Sequence, residues 1–341
     1  YIKEIEAAYN NILNSYVEKV DESELTNAAI KGMYSYLGDP YTSYLDKDST
    51  TNLMDRLNGE YKGIGVEITS TESGTMVMTV FDGSPASKAG IMVGDIITKV
   101  ADTDVQNSTP SIVSNLIKST NGTTTIEVLR GGVYKTLEIN VEKVSIPSVS
   151  SNNFDGVGYI KITTFSNNTY EQFKTALSSL EKENIDSLVI DVRNNGGGFL
   201  NAAVDIAELF IEKGKNIYGL ETKEKTEYYK DSTKESRKYK VGILLNSASA
   251  SASEILAAAL KESYGATLLG LTSYGKGTVQ ETSELETGGM IKYTTAYWLT
   301  PNGNKINNVG LKPDVEITGD YNDDMDYESD TQLLTAIKNM K

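Results

Sequence analysis

The sequence predicts an α/β multidomain protein with an α/β core at 145–341, a β-rich unit at 61–144 and a helical region at 1–60. Three observations predict it. From Val157 onward apolar β-type runs alternate with helical stretches; between 61 and 144 short β-rich runs are separated by glycine turns; and from Ile2 to Val17 apolar residues recur at three- and four-residue steps. At 341 residues the chain has room for two domains of about 150 residues, each with its own core.

In the first region Ile2, Ile5, Ala8, Ile12, Leu13 and Tyr16 form one face of an amphipathic helix. Asp21-Glu22-Ser23 opens a second, whose stripe Leu25, Ala28, Ala29, Gly32, Met33 and Tyr36 ends at Gly38-Asp39-Pro40. Both read as packing helices. The first, together with Gln332–Met340, offers a homodimer contact, and packing within one chain accounts for both segments equally well. In the β-rich unit Gly65–Thr69, Met76–Val80, Ile96–Val100 and Thr124–Leu129 read as strands and Pro110–Ile117 as a helix. In the core, strands at Gly158–Thr163, Ser187–Asp191 and Val241–Leu245 alternate with helices near Tyr170–Lys182, Leu200–Ile211 and Ser251–Lys261. Thr222–Lys240 carries eleven charges in nineteen residues and reads as a solvated excursion. Asp320, Asp324 and Asp326 have the look of a calcium loop, but Met325 replaces the turn glycine and the closing glutamate is missing, so no metal is expected.

Charge and composition exclude whole classes of function. With 32 basic and 47 acidic residues the formal net charge is −15, which repels nucleic acid and anionic lipid. There is no histidine and no cysteine, which removes serine–histidine triads, thiolate nucleophiles and Cys/His metal shells. The lack of cysteine fits an oxidising, extracytoplasmic setting. No apolar run reaches the roughly 18 residues of a membrane span. Because Tyr1 already lies inside a helix, an anchor or signal upstream of it stays open.

Without histidine, the economical activated nucleophile is a serine or threonine served by an unprotonated lysine. Lys276 stands out, set between Gly275 and Gly277 after the apolar run Ala266–Leu271. Flanking glycines let other backbone approach closely, and apolar walls would strip the ammonium of solvent and lower its pKa. The hydroxyl candidates are Ser249, Ser251 and Ser253, at a strand-to-helix turn where free N–H groups and the helix dipole favour developing negative charge. Spacing does not choose among the three. Asp191-Val192-Arg193-Asn194-Asn195-Gly196-Gly197-Gly198 ends another buried strand in glycines whose amides could supply a second oxyanion donor. Gly270–Lys276 spells a P-loop start, but Gly277 stands where Ser or Thr is required and β-type residues follow. Ser273-Tyr274-Gly275-Lys276 has S-x-x-K spacing without a helix to use it.

Taken together, Ser249-Ala250-Ser251-Ala252-Ser253-Glu254-Ile255, Gly275-Lys276-Gly277-Thr278-Val279-Gln280 and the Asp191–Gly198 run resemble the carboxy-terminal processing peptidases, or tail-specific proteases. Gly38-Asp39-Pro40-Tyr41-Thr42-Ser43-Tyr44-Leu45, Leu299–Gly303 and Val309–Asp314 extend the resemblance along almost the whole chain. It implies a ClpP/crotonase-like α/β protease core with an inserted PDZ domain, acting as a cofactor-free serine endopeptidase of the bacterial cell envelope, secreted or membrane-anchored. The resemblance makes Ser251 the nucleophile, Lys276 the general base and Gln280 the residue that orients it, with the amides of Ala252 and of Gly197 or Gly198 as oxyanion donors. In the PDZ part it makes Gly63-Ile64-Gly65-Val66 the carboxylate-binding loop and gives the groove side chains to Ile112–Leu116. A substrate would then be a protein or peptide with a free apolar C-terminus, added as an extra strand. Gly196 stands where the family often has proline, Ser247-Ala248 where an acidic residue and glycine are common, and Lys118 near a gating arginine of some members. From another class, a catalytically silent PDZ adaptor would bind tails without cleaving them.

Overall fold

The computed structural model describes residues 1–286, 288–322 and 327–341. Asp324 and Asp326 of the discounted calcium loop lie outside them.

The core is a six-stranded sheet in the order Val315–Glu316, Thr267–Gly270, Lys240–Leu245, Ser187–Asp191, Val157–Ile162, Val149–Phe154. All neighbours are parallel except the last pair. Its four central strands are largely apolar without alternation because both faces are covered. On one face Thr169–Lys182, Leu200–Glu208 and Ala252–Ala259 bury Phe173, Leu177, Ile206 and Leu256 against Ile160, Ile190 and Ile243. On the other, Thr331–Met340 buries Leu333, Ala336, Ile337 and Met340 against Tyr159, Val189 and Leu244. The C-terminal segment is therefore committed to packing within this chain. By contrast, neither Ile2–Ser15 nor Glu22–Ser35 has a buried residue, and Ile2, Ile5, Ile12 and Met33 are exposed.

The β-rich unit is a seven-stranded antiparallel sheet with its own core of Ile64, Val77, Ile97, Val113, Ile126 and Val128. The strand Val133–Ser145 closes it, pairing with both Gly122–Arg130 and Glu60–Gly63. Val66–Thr71 is the terminal strand of this sheet, and the helix Pro110–Ser119 packs beside it.

A third sheet joins Ser43–Leu45, Met290–Leu299, Asn216–Glu221 and Thr226–Lys230, with Thr278–Glu284 along Met290–Leu299. The charged excursion is thus partly ordered: Thr226–Lys230 pairs with Asn216–Glu221, and Tyr229 stacks on Tyr218 with ring centroids 4.6 Å apart. Every residue of that strand is exposed, so its charges stay solvated although its backbone is paired.

Candidate active site

Three adjacent parallel strands end at the same edge of the core sheet, and each hands over to one of the chemistry-bearing loops. Ser187–Asp191 leads into the glycine turn, Lys240–Leu245 into the serine turn, and Thr267–Gly270 into the Lys276 loop. Ligands of open α/β sheets gather at this carboxyl edge.

Ser251 is the residue before the helix Ala252–Ala259 and has φ 56°, ψ −117°, a backbone conformation that a side-chain-bearing residue adopts only under constraint. Burial separates the three hydroxyls that spacing left equivalent. Ser249 Oγ, buried, donates to the Val192 carbonyl at 2.8 Å, and Ser253 Oγ, fully buried, donates to the Asn195 carbonyl at 2.8 Å. Both tie the serine turn to the glycine turn. Ser251 is half-buried, at the mouth of the helix.

The glycine turn lies directly against Ser251. A Cβ on Gly197, whose φ is +99°, would come 2.8 Å from the Ala250 carbonyl and from Ser251 Cβ. Gly197 N–H is already engaged, donating to Asn195 Oδ1 at 2.9 Å. The amides of Gly198 and Ala252 donate to no acceptor among the described residues. One open amide follows the serine directly, and the other follows Gly197, the residue packed against it. Behind them Arg193 is buried between two carboxylates, donating to Asp191 Oδ2 and Asp330 Oδ2 at 2.7 Å each, and so links this turn to the C-terminal helix. Because Gly197 has no room for a side chain, Gly197→Ala is expected to lower kcat/KM by about 10²–10³-fold through displacement of the serine turn. Peptide-cleavage kinetics on a variant with a native circular dichroism spectrum would check it, and undiminished turnover would refute the packing argument.

Lys276 is fixed at its backbone. Its N–H donates to Glu254 Oε2 at 3.0 Å, and its carbonyl accepts from the Trp298 indole at 2.7 Å. The flanking glycines do admit close backbone: a Cβ on Gly275 would meet Gly310 N at 2.8 Å, and one on Gly277 would meet Asn307 N at 2.7 Å. Burial pushes the lysine pKa below its usual value, and Lys292 lowers it further, against the opposing pull of Glu254 and Asp39. Its ammonium lies 4.8 Å from the centre of the Tyr41 ring. Among the described residues no hydrogen bond joins Lys276 Nζ to Ser251 Oγ or to Gln280. Gln280 Nε2 instead donates to Thr278 Oγ1 at 2.9 Å and Thr294 Oγ1 at 3.2 Å, and Thr294 Oγ1 donates to Asp39 Oδ2 at 2.6 Å.

Glu254 had no role in the sequence reading. It is 1% exposed and its carboxylate accepts four hydrogen bonds: from Ser251 N at 2.8 Å, Ser273 Oγ at 2.5 Å, Gly275 N at 2.7 Å and Lys276 N at 3.0 Å. One buried side chain thus bolts the serine turn to the lysine loop. Ser251-x-x-Glu254 is a capping-box spacing, and that was the available signal.

In the β-rich unit Gly63, Ile64 and Gly65 are buried, with the Ile64 and Gly65 carbonyls accepting from Ala86 N and Phe81 N at 2.8 and 2.9 Å. Val66 begins the terminal strand. On the helix beside it Ile112 is exposed and Leu116 half-buried. Lys118, from the same helix, pairs with Asp55 at 3.4 Å, joining this unit to the helix Lys47–Asn58.

Comparison with known proteins agrees with this architecture. Residues 156–317 match Peptidase family S41, residues 63–141 a PDZ domain, and residues 1–49 the activating protease CtpB N-terminal domain. Over 320 residues the chain is 37% identical to a probable CtpA-like serine protease of Staphylococcus haemolyticus and 38% identical to one of Staphylococcus aureus. Each alignment covers 93% of this chain and 64% of the relative, so the chain spans just under two thirds of the length of these curated relatives. Among solved structures it is similar to a photosystem II D1 C-terminal processing protease, with 28% identity, a TM-score of 0.55, and 93% of this chain and 86% of that one covered. A putative S41 protease from Bacteroides fragilis shares the fold at 15% identity and a TM-score of 0.59, with 98% and 96% covered. Fold and matches together define a serine-type peptidase architecture bearing a PDZ domain. Residues 156–317 are thus similar to peptidase family S41, and the chain as a whole to probable CtpA-like serine proteases.

Proposed function

We propose that this chain is a serine endopeptidase that binds apolar protein C-termini through residues 61–144 and cleaves with a Ser251–Lys276 dyad. The observation that carries the reading is the convergence of a constrained, half-buried serine, two open amides and a desolvated lysine at the ends of three neighbouring strands. In the reaction Ser251 Oγ attacks the scissile carbonyl carbon while neutral Lys276 takes the hydroxyl proton. The oxyanion accepts from the Ala252 and Gly198 amides. Collapse breaks the C–N bond, the Lys276 ammonium returns its proton to the leaving amine, and an ester to Ser251 is left. Lys276 then deprotonates water, which attacks the ester carbonyl, and as the C–O bond to Ser251 breaks the lysine returns the proton to Ser251 Oγ. Gln280 acts on the lysine through the Thr294–Asp39 hydrogen bonds rather than by direct contact.

The tail would add along Val66–Thr71 as an extra strand, its carboxylate on the Gly63–Val66 loop and its apolar side chain against Ile112 and Leu116. No metal or organic cofactor enters this scheme. The exposed apolar faces of the two N-terminal helices support a homodimer contact there, and an extracytoplasmic location accords with the absence of cysteine. One observation favours the adaptor reading: Ser251 and Lys276 are not hydrogen-bonded to each other.

An unfolded protein with an apolar C-terminus, incubated with the enzyme and with its Ser251→Ala variant, separates the two. Cleavage by the first only, slowed when the tail is amidated, is the expected result. Tail binding with no product at any pH between 7 and 10 would favour the adaptor over a peptidase that acts without a trigger.

A further inference from the structure

We propose that Tyr41 is a positioning residue for the dyad, its ring face docking the protonated ammonium of Lys276. The inference rests on the dyad reading and deepens it. Tyr41 belongs to the Gly38–Leu45 segment ahead of the PDZ domain, yet its ring centre is 4.8 Å from Lys276 Nζ, within the range of a cation–π contact. The ring is held in place. Tyr41 N donates to Asp39 Oδ1 at 3.0 Å, Asp39 Oδ2 accepts from Thr42 and Thr294 hydroxyls at 2.6 Å each, and the Tyr41 hydroxyl donates to Tyr274 Oη at 3.4 Å. The Tyr274 contact and burial push the Tyr41 phenol up to about 12, so the ring is neutral wherever the lysine titrates.

The groups facing the ammonium are Asp39 and Tyr41 on this segment, Glu254 on the serine helix and Lys292 on the strand Met290–Leu299, with Tyr274 behind Tyr41. Among the described residues neither acid forms an ion pair with it. Among the described residues the ring therefore supplies the contact attraction for the charged form, beside the longer-range pull of Glu254 and Asp39. Burial drives the lysine toward the neutral base that attacks require, and the ring opposes this by stabilising the ammonium away from Ser251. Deprotonation weakens the contact, because a neutral amine gains little from the ring quadrupole, and frees the lysine to approach the serine. The segment thus sets the pH at which the base becomes available.

The test is the pH dependence of Lys276 itself. Acylation of Lys276 by an amine-selective anhydride, followed site by site by mass spectrometry from pH 6 to 11, gives its midpoint whether or not the protein turns over. The acid limb of kcat/KM gives the same group in the working enzyme. In Tyr41→Leu, which keeps the apolar wall and loses the quadrupole, both midpoints are expected to fall by about half to one pH unit; in Tyr41→Phe they stay in place. Replacing Tyr41 by phenylalanines of increasing ring fluorination keeps the shape and drains the quadrupole, so the midpoint should fall stepwise with fluorine count. An unmoved midpoint in Tyr41→Leu and across the fluorinated series overturns the proposal. So does an equal shift in Tyr41→Phe, which would assign the effect to the hydroxyl network. If the labelling midpoints move as expected while no variant cleaves peptide, the docking contact stands and the dyad reading fails.

Discussion

On the proposed dyad, Lys276→Met is expected to lower kcat for peptide cleavage by about 10²–10⁴-fold, the usual contribution of a positioned general base. Methionine fills the volume of the aliphatic stem, and the loop backbone keeps its bonds to Glu254 and Trp298, so the loss isolates the amine. The residual activity should also lose the acid limb of the pH profile, since the group that titrates is gone. Stability should move the other way. A lysine whose folded pKa lies below its unfolded value of 10.5 penalises the folded state when protonated. Between those two values the unfolded chain binds more protons, so wild-type stability rises with pH through that window and levels off above 10.5. The variant lacks the penalty. Its melting temperature should exceed that of the wild type at neutral pH, and the gap should close as the pH approaches 10.5. Thermal unfolding at pH 7 and pH 10.5 measures it. A variant less stable than the wild type at pH 7, with a gap independent of pH, would show that the lysine is not desolvated as its surroundings imply.

Much of this site was legible in the sequence because its signals are local. Glycines on both sides of Lys276 announce close backbone approach, and the approaching backbone is Ile306–Gly310. A buried strand ending in glycines announces an amide-bearing turn, and Ser187–Asp191 and Lys240–Leu245 have the limits that their apolar runs suggest, within a residue. What could not be read depends on contacts made across the fold. Ser249, Ser251 and Ser253 share one composition and one turn; only the packing of the glycine turn against them consumes the first and third hydroxyls in Val192 and Asn195 carbonyls. Asp39 reads as part of a helix stop and Tyr41 only as part of the Gly38–Leu45 resemblance, since nothing near them in sequence places Lys276 over the ring. The strand Thr226–Lys230 has too little apolar content to stand out among its charges, because an exposed edge strand is held by its backbone and one stacked tyrosine pair. The long strand Val133–Ser145 was missed for a related reason: most of its residues are exposed, and its regularity comes from its partners on two sides.

Glu254→Gln is expected to cost more than its near-identical shape suggests. All four groups around the carboxylate donate: three backbone amides and the Ser273 hydroxyl. Glutamine keeps one acceptor oxygen and turns an NH₂ toward the remaining donors. The Ser273 hydroxyl can rotate to accept from that NH₂, but it then ceases to donate, and an amide has no such freedom. At least one amide among Ser251, Gly275 and Lys276 is left without its acceptor in a buried site, a cost of about 1–3 kcal/mol. The loss falls where geometry matters most, since Ser251 N and Lys276 N share Glu254 Oε2. Relief by a shift of either loop separates Ser251 from Lys276, and for the proposed dyad displacements near 1 Å are worth about 10²-fold in rate. Glu254→Gln should therefore lose stability and about 10²-fold in kcat, with KM for a tail-bearing substrate little changed because the proposed tail site lies in residues 61–144, none of which bonds to the carboxylate. Ser273→Ala, which deletes one hydroxyl donor and leaves the three amides satisfied, should lose far less. Steady-state kinetics and urea unfolding on the two variants give the comparison. If Ser273→Ala matched Glu254→Gln in both, the carboxylate would matter for its bond to that hydroxyl, and the link between the serine turn and the lysine loop would have to run elsewhere.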